Sequence, residues 1–426
     1  MLKMPHQRYG ADYSHRRSPT TPAGGLPYRL MHLGNESSLL AIVLPPAAAA
    51  IAVQESWSRG EAVAVIDPRD PAFRIDERLS TLRPTEVLDA TGRREWRDRD
   101  GEGEPVAAGV AAIVATSGTT SEPRWVMLDE NALEASAFAV HAALGIDPID
   151  DTWLACVPLT GVAGLAILAR SFHTGSPLIV HDRFDTAAVA RAPQQGATLV
   201  SLVPTTLARL LDAGAPVDQF HHILLGGAPA PPGLLARARA SGAHVTTTYG
   251  LTETGGGCVH NGHPMIGVEV TIDPKTDEIL VRGQITMSGY RLDEPATKAA
   301  FTPDGALRTG DLGRMLPDGV LQVGDRRKDV IISGGVNVSP TAVEHVLLLH
   351  PAIRDVCVVG LPDPEWGERV VAFVVPVRKG LPPSLADMRA FAQSRLAAPE
   401  LPREIRMVDE IPRSPGGKLL RRLLPR

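Results

Sequence analysis

The chain has 426 residues, 44% of them hydrophobic, with 43 basic against 48 acidic side chains and a formal charge of −5. That length suggests two or three domains with a sizeable core, and so mild a charge argues against a nucleic-acid groove or a polybasic membrane patch. Cys156, Cys258 and Cys357 are far apart and lack metal-ligand spacing, which points to a reducing cytoplasm and away from a disulfide framework.

Residues 1–25 carry Arg, Ser and Pro without a period and read as a loose leader, with no apolar segment of the kind a secretory signal needs. The longest apolar stretch, Leu39 to Val53, is interrupted by Pro45 and Pro46 and is too short to span a bilayer. A cytoplasmic protein is expected. From Leu39 onward, apolar strands alternate with Ala-rich helices: strands at 39–44 and 62–67 flank a helix, and the pattern returns between 197 and 243. Such alternation predicts an α/β fold of parallel sheets joined by helical crossovers.

The strand Ala111 to Ala115 runs into Thr116-Ser117-Gly118-Thr119-Thr120-Ser121-Glu122-Pro123, followed by Arg124. Glycine lets the backbone approach a ligand, and loop N–H groups with Ser/Thr hydroxyls can cradle phosphate oxygens, with Arg124 adding charge. The spacing is not that of the Gly-x4-Gly-Lys-Ser/Thr loop, and taken alone it also suits an ordinary Ser/Thr turn. Further on, Pro158 to Gly164 precedes a helix that carries Arg170. Gly226-Gly227-Ala228-Pro229 links a strand to a helix, which alone is an unremarkable turn. In Tyr249-Gly250-Leu251-Thr252-Glu253-Thr254 the tyrosine can stack on a purine, Thr252 can donate to phosphate, and Glu253 can ligate Mg²⁺.

Between about Val268 and Val323, short alternating strands separated by Gly, Asp and Pro predict a small antiparallel element. Asp311, in Arg308-Thr309-Gly310-Asp311-Leu312-Gly313, offers a carboxylate to two ribose hydroxyls. The charged knot Asp325 to Asp329 marks a domain boundary, placing one domain at 1–325 and another at 326–426, with a Leu/Ala-rich helix near 384–397. Lys418 lies in a Gly/Pro loop near the end, where an isolated lysine is ordinarily a surface group.

Taken in order, these motifs resemble those of the AMP-forming acyl-CoA synthetase, adenylation-domain and luciferase superfamily, over essentially the whole chain beyond residue 35. Ser117, Gly118, Thr119, Thr120 and Pro123 match its phosphate loop, while Ser121, Arg124 and Trp125 stand where it has Gly, Lys and Gly. The resemblance implies a large N-terminal domain of stacked α/β sheets and a small, mobile α+β C-terminal domain. It implies that Thr116 to Thr120 and Arg124 hold ATP phosphates, and that Gly227, Ala228, Pro229, Tyr249 and Gly250 line the adenine pocket. Thr252 would contact phosphate, Glu253 would ligate Mg²⁺ and Asp311 would hold the ribose. Arg326 would contact the nucleotide just before a hinge, Gly334 and Gly335 would admit the pantetheine of coenzyme A, and Lys418 would be catalytic. The implied reaction converts an acid and ATP to acyl-AMP and pyrophosphate, then passes the acyl group to CoA and releases AMP.

For the acid, the loop at 158–164 has no carboxylate, which disfavours an amino acid, whereas Arg170 can face a second substrate carboxylate. The run Tyr249 to Gly267, with Leu168-Ala169-Arg170-Ser171 and the short region before the phosphate loop, is similar to actinobacterial o-succinylbenzoate–CoA ligases of menaquinone synthesis. On that resemblance Gly161, Arg170, Gly255 and Gly256 line the acid pocket. Those ligases carry His where this chain has Gly161, and His141, His173 and His260 are candidates to compensate. Another aryl or acyl acid stays open, as do a non-catalytic nucleotide-binding role and a homodimer.

Overall fold

The computed structural model describes residues 36–98, 101–116, 124–378, 380–413 and 419–425. The leader, the phosphate-loop residues Ser117, Gly118, Thr119 and Thr120, and Lys418 therefore lie outside the described residues.

Leu39–Ile42 and Ala62–Val65 are unbroken apolar runs whose residues are all buried, the pattern of strands covered on both faces. They pair in parallel with each other, and Glu86–Asp89 and Val110–Ala115 extend the parallel centre of a seven-stranded sheet. A second seven-stranded sheet repeats the plan: Leu178–Val180, Trp153–Ala155, Leu199–Leu202, His222–Leu225 and Val245–Leu251 run parallel. Both sheets end in antiparallel strands that the alternation did not foretell. Trp125–Asp129 returns beside Val110–Ala115, and Gly256–His260 returns beside Val245–Leu251. The links between these partners are too short for a crossover helix, so the chain must double back.

Helices Pro46–Ser58, Glu130–Leu144 and Val162–Thr174 lie between the two sheets, and one continuous core draws buried residues from all three helices and both sheets. The antiparallel element follows as Val268–Ile272, Glu278–Gly283, Leu307–Met315 and Leu321–Arg326. Residues beyond it build a separate sheet from Ile331–Ser333, Val336–Val338, Ile353–Asp363, Gly367–Pro376 and Glu404–Met407, with its own core. The helix expected near 384–397 is Leu385–Ala392. Asp325 spans the junction: its carboxylate accepts the backbone N–H of Thr341 at 3.0 Å, in the first turn of helix Pro340–Leu347. Among the described residues no helix is long and apolar enough to cross a membrane.

Candidate active site

The residues expected to line an adenine pocket converge on a cavity of about 230 Å³, lined by Ala228 and Pro229 on one side, Tyr249 and Val259 on another, and Leu321 and Val323 from the antiparallel sheet. Gly227 lies in the same loop as Ala228. Gly250 is where the strand bearing Tyr249 comes closest to its returning partner: a Cβ there would sit 1.8 Å from the Gly256 carbonyl, so no other residue fits. Tyr249 donates its hydroxyl to Asp311 Oδ2 at 2.9 Å, and Arg326 Nε lies 3.1 Å from Asp311 Oδ1. Antiparallel pairing of Asp311 with Arg326 sets this contact. Burial first, and the Asp311 carboxylate second, push the Tyr249 phenol well above its ordinary value, so it remains a donor at neutral pH.

The stem of the phosphate loop is closed by two bonds: Thr116 N–H donates to the Arg124 carbonyl at 2.8 Å, and Arg124 N–H donates to Thr116 Oγ1 at 3.2 Å. Trp125 is buried. Its indole is buried in the core under the first sheet and donates to Thr81 Oγ1 at 3.1 Å, so the departure from glycine is absorbed below the site. Arg124 is 3.6 Å from Asp293 Oδ2 and stacks over the Tyr290 ring at 5.2 Å.

Thr252 and Glu253 share a single 3₁₀ turn, and Glu253 Oε1 accepts the Tyr290 hydroxyl at 2.8 Å. Glu253 Oε2 has no hydrogen-bond partner among the described residues. Among those residues no cluster of three or more His, Cys, Asp or Glu side chains could hold a metal. One open carboxylate oxygen nonetheless fits Mg²⁺, which binds through one or two carboxylates together with substrate phosphates.

The acid side is built on helix Val162–Thr174. Gly161 precedes it, and a Cβ there would meet nothing closer than the Pro158 carbonyl at 3.8 Å. Ala166, one turn before Arg170, approaches Gly256, whose added Cβ would meet the alanine Cβ at 3.6 Å; Gly255 begins the same stretch. Arg170 is 3% exposed, its Nε and Nη1 have no hydrogen-bond partner among the described residues, and its guanidinium lies 4.8 Å from the centroid of Trp153. Burial pulls its pKa to about 10, which leaves it charged at neutral pH. Both ring nitrogens of His260 are buried and without a partner among the described residues; burial first, then the Arg170 charge, bring this histidine to about 4.

The other two histidines are committed elsewhere. His141 Nε2 accepts the Trp153 indole N–H at 3.2 Å, and His173 packs against Trp57 and Phe172. Sequence reasoning missed Ser201 and Thr248, whose hydroxyls are also buried without partners among the described residues. Ser201 had left a signal, as the one polar residue in the wholly buried strand Leu199–Leu202. Also missed was a second cavity of about 170 Å³, lined by Ile66 to Arg69, Pro158 to Thr160 and Asp182 to Phe184. It opens at the carboxyl ends of strands from both sheets, where open α/β folds bind ligands.

Gly334 and Gly335 form the two-residue turn between Ile331–Ser333 and Val336–Val338, with φ of 60° and 76°. Two successive positive φ values define a hairpin turn that glycine adopts without strain. Around Lys418 only the flanks are described: Arg413 bridges to Leu419, and Leu420 N–H donates to the Pro412 carbonyl at 2.9 Å. Arg413 binds both Asp355 oxygens, at 2.9 and 3.0 Å, and Arg421 pairs with the buried Glu344.

A family model for AMP-binding enzymes matches residues 27–291, and one for the AMP-binding enzyme C-terminal domain matches 342–418. A probable 2-succinylbenzoate–CoA ligase of Mycobacterium tuberculosis (strain CDC 1551 / Oshkosh) is 39% identical over 335 residues, covering 76% of this chain and 86% of that protein. The o-succinylbenzoate CoA synthetase of Bacillus subtilis, in complex with the acyl-adenylate intermediate OSB-AMP, superposes with a TM-score of 0.80 at 30% identity, covering 91% of this chain and 88% of that one. The same synthetase in complex with ATP and a magnesium ion gives 0.80 at 29%, covering 91% and 89%.

Proposed function

The chain belongs to the AMP-binding enzyme family and is an AMP-forming acid–thiol ligase, and on that premise we propose that its acid is o-succinylbenzoate, which it converts to the CoA thioester in menaquinone biosynthesis in the cytoplasm. The observation that carries the choice of acid is the buried guanidinium of Arg170, whose Nε and Nη1 have no hydrogen-bond partner among the described residues. An unpaired buried charge is costly, and a substrate carboxylate supplies the missing anion. Arg170 lies nine residues into the helix from Gly161, about 13 Å of rise. Helical side chains lean toward the N-terminus and shorten that gap. An aryl acid with a second carboxylate on a short arm suits this spacing, whereas benzoate would leave Arg170 unmet.

In the reaction, a carboxylate oxygen of the acid attacks the α-phosphorus of ATP, and the bond to the β-phosphate oxygen breaks to release pyrophosphate. No base is needed, because the acid is ionised at neutral pH. Asp311 holds the ribose hydroxyls, Arg326 and the 226–229 loop hold the nucleotide, and Thr116, Thr252 and Arg124 face the phosphates with residues 117–120. Glu253 would hold Mg²⁺, which would supply neutralisation of phosphate charge. Lys418 stabilises charge building between carboxylate and α-phosphate. Residues 326–426 then turn about the hinge after Arg326. The CoA sulfur attacks the acyl carbon, AMP leaves with the bonding electrons, and the thiol proton passes to water.

The test is pyrophosphate release with o-succinylbenzoate, benzoates and fatty acids, with and without CoA. Turnover should require the second carboxylate. Turnover confined to a monocarboxylic acid would remove the choice of acid, and ATP binding without turnover on the whole panel would favour a non-catalytic role. A second reading, another aryl acid, draws on one observation: glycine leaves the side-chain position at 161 empty, where an added Cβ would meet only the Pro158 carbonyl within 4 Å.

A further inference from the structure

Tyr290 stands at a junction that none of the motifs marks. It sits on the short strand Gly289–Tyr290, opposite Val126 in the strand that leaves the phosphate loop, and it is 9% exposed. Its hydroxyl donates to Glu253 Oε1 at 2.8 Å, and its ring lies under the Arg124 guanidinium, 5.2 Å from centroid to carbon. Arg124 is steadied from the side by Asp293, three residues beyond the tyrosine. One aromatic side chain thus touches both the carboxylate and the cation assigned to the phosphate end of ATP.

We propose that Tyr290 is a positioning residue for magnesium and phosphate: it commits Glu253 Oε1 to a hydrogen bond, leaves Oε2 to the metal, and holds Arg124 flat beside the phosphate loop. This rests on the reading of Glu253 as the Mg²⁺ carboxylate. A carboxylate with one oxygen accepting a hydrogen bond presents the other as its freer donor to the metal, which suits the strict octahedral shell of Mg²⁺.

The same geometry accounts for the arginine at a position where the family pattern has lysine. A planar, weakly hydrated guanidinium stacks on an aromatic face, whereas an ammonium is a strongly hydrated point charge with no flat surface to present. Arg124 and Tyr290 therefore form one unit: the larger cation is kept in a single orientation by the ring beneath it.

The experiment is equilibrium dialysis of ATP with the full chain across a Mg²⁺ titration, comparing the native protein with Tyr290→Phe and Tyr290→Leu, with AMP binding as the check that the nucleotide pocket is intact. Phenylalanine keeps the ring and removes only the hydroxyl. It should raise the Mg²⁺ concentration needed to tighten ATP binding by about tenfold, the scale for losing a partner that orients a metal ligand. AMP affinity should not change. Leucine should in addition weaken Mg²⁺-free ATP binding, because Arg124 loses its platform. If the effect runs through Glu253, Tyr290→Phe should change nothing further in a Glu253→Gln background. An unchanged Mg²⁺ requirement in Tyr290→Phe, with native ATP binding still Mg²⁺-dependent, would overturn the role of Tyr290 alone. Native ATP binding indifferent to Mg²⁺ would overturn the metal reading of Glu253, and this role with it.

Discussion

Arg326 and Asp311 face each other across an antiparallel pair, 3.1 Å apart from Nε to Oδ1, and the second oxygen of the same carboxylate accepts the Tyr249 hydroxyl. One buried carboxylate thus orders an arginine at the end of the antiparallel sheet and a tyrosine that lines the first cavity.

Asp311→Ala should weaken ATP and AMP binding by about 10–100-fold, the range for losing hydrogen bonds to a charged group. Tyr249→Phe, which removes one donor and leaves the carboxylate, should cost less. Calorimetry with AMP measures both, and equal losses in the two variants would count against Asp311 as the ribose contact.

Arg170→Leu should separate stability from function. The leucine removes a buried charge whose Nε and Nη1 have no partner among the described residues, so the melting temperature should rise by a few degrees. At the same time kcat/KM for o-succinylbenzoate should fall about 10²-fold, the scale for leaving one member of a buried charge pair alone. A melting temperature that falls, with unaltered kinetics, would make Arg170 a packing residue.

Acid should destabilise the protein through its buried histidines before its carboxylates titrate. His141 and His260 are held at about 4 by burial and then by Arg170, against an ordinary 6.5, and burial lowers His173, His181 and His222 as well. Above pH 6.5 folded and unfolded chains carry these groups neutral. As pH falls toward 4 the unfolded chain takes up protons that the folded chain refuses, so stability declines with acid. Each such histidine contributes a slope of at most about 1.4 kcal/mol per pH unit. Denaturant melts between pH 6.5 and 5 should show this slope, and His260→Gln should reduce it by up to one proton's worth.

Lys418→Ala should slow adenylate formation by about 10²-fold or more, the cost of one key electrostatic donor, while thioester formation from supplied acyl-adenylate is spared. Pyrophosphate release and thioester assays on the same preparation measure the two halves. Equal loss of both would count against a domain that withdraws the lysine between steps.

The sheets were legible because fully buried strands such as Leu39–Ile42 announce themselves as unbroken apolar runs. The contacts of Tyr249, Asp311 and Arg326 were legible only as separate motifs, since their meeting depends on a strand register that no local pattern encodes. Tyr290 escaped notice for the same reason: it reaches Glu253 from a strand of two residues, far along the chain and without periodicity. His260 could be named as a candidate, but its burial beside Arg170 arises from the packing of Gly256–His260 against the helix and is invisible residue by residue.

The hydrogen bond from Thr341 to Asp325 has a temporal consequence. If the segment after Arg326 swings once per turnover, the start of helix Pro340–Leu347 must surrender its acceptor to solvent on every cycle and recover it on return. The Thr341 amide then acts as a molecular clock, whose deuterium uptake should quicken in proportion to turnover while amides in the strand core keep their own slower rhythm.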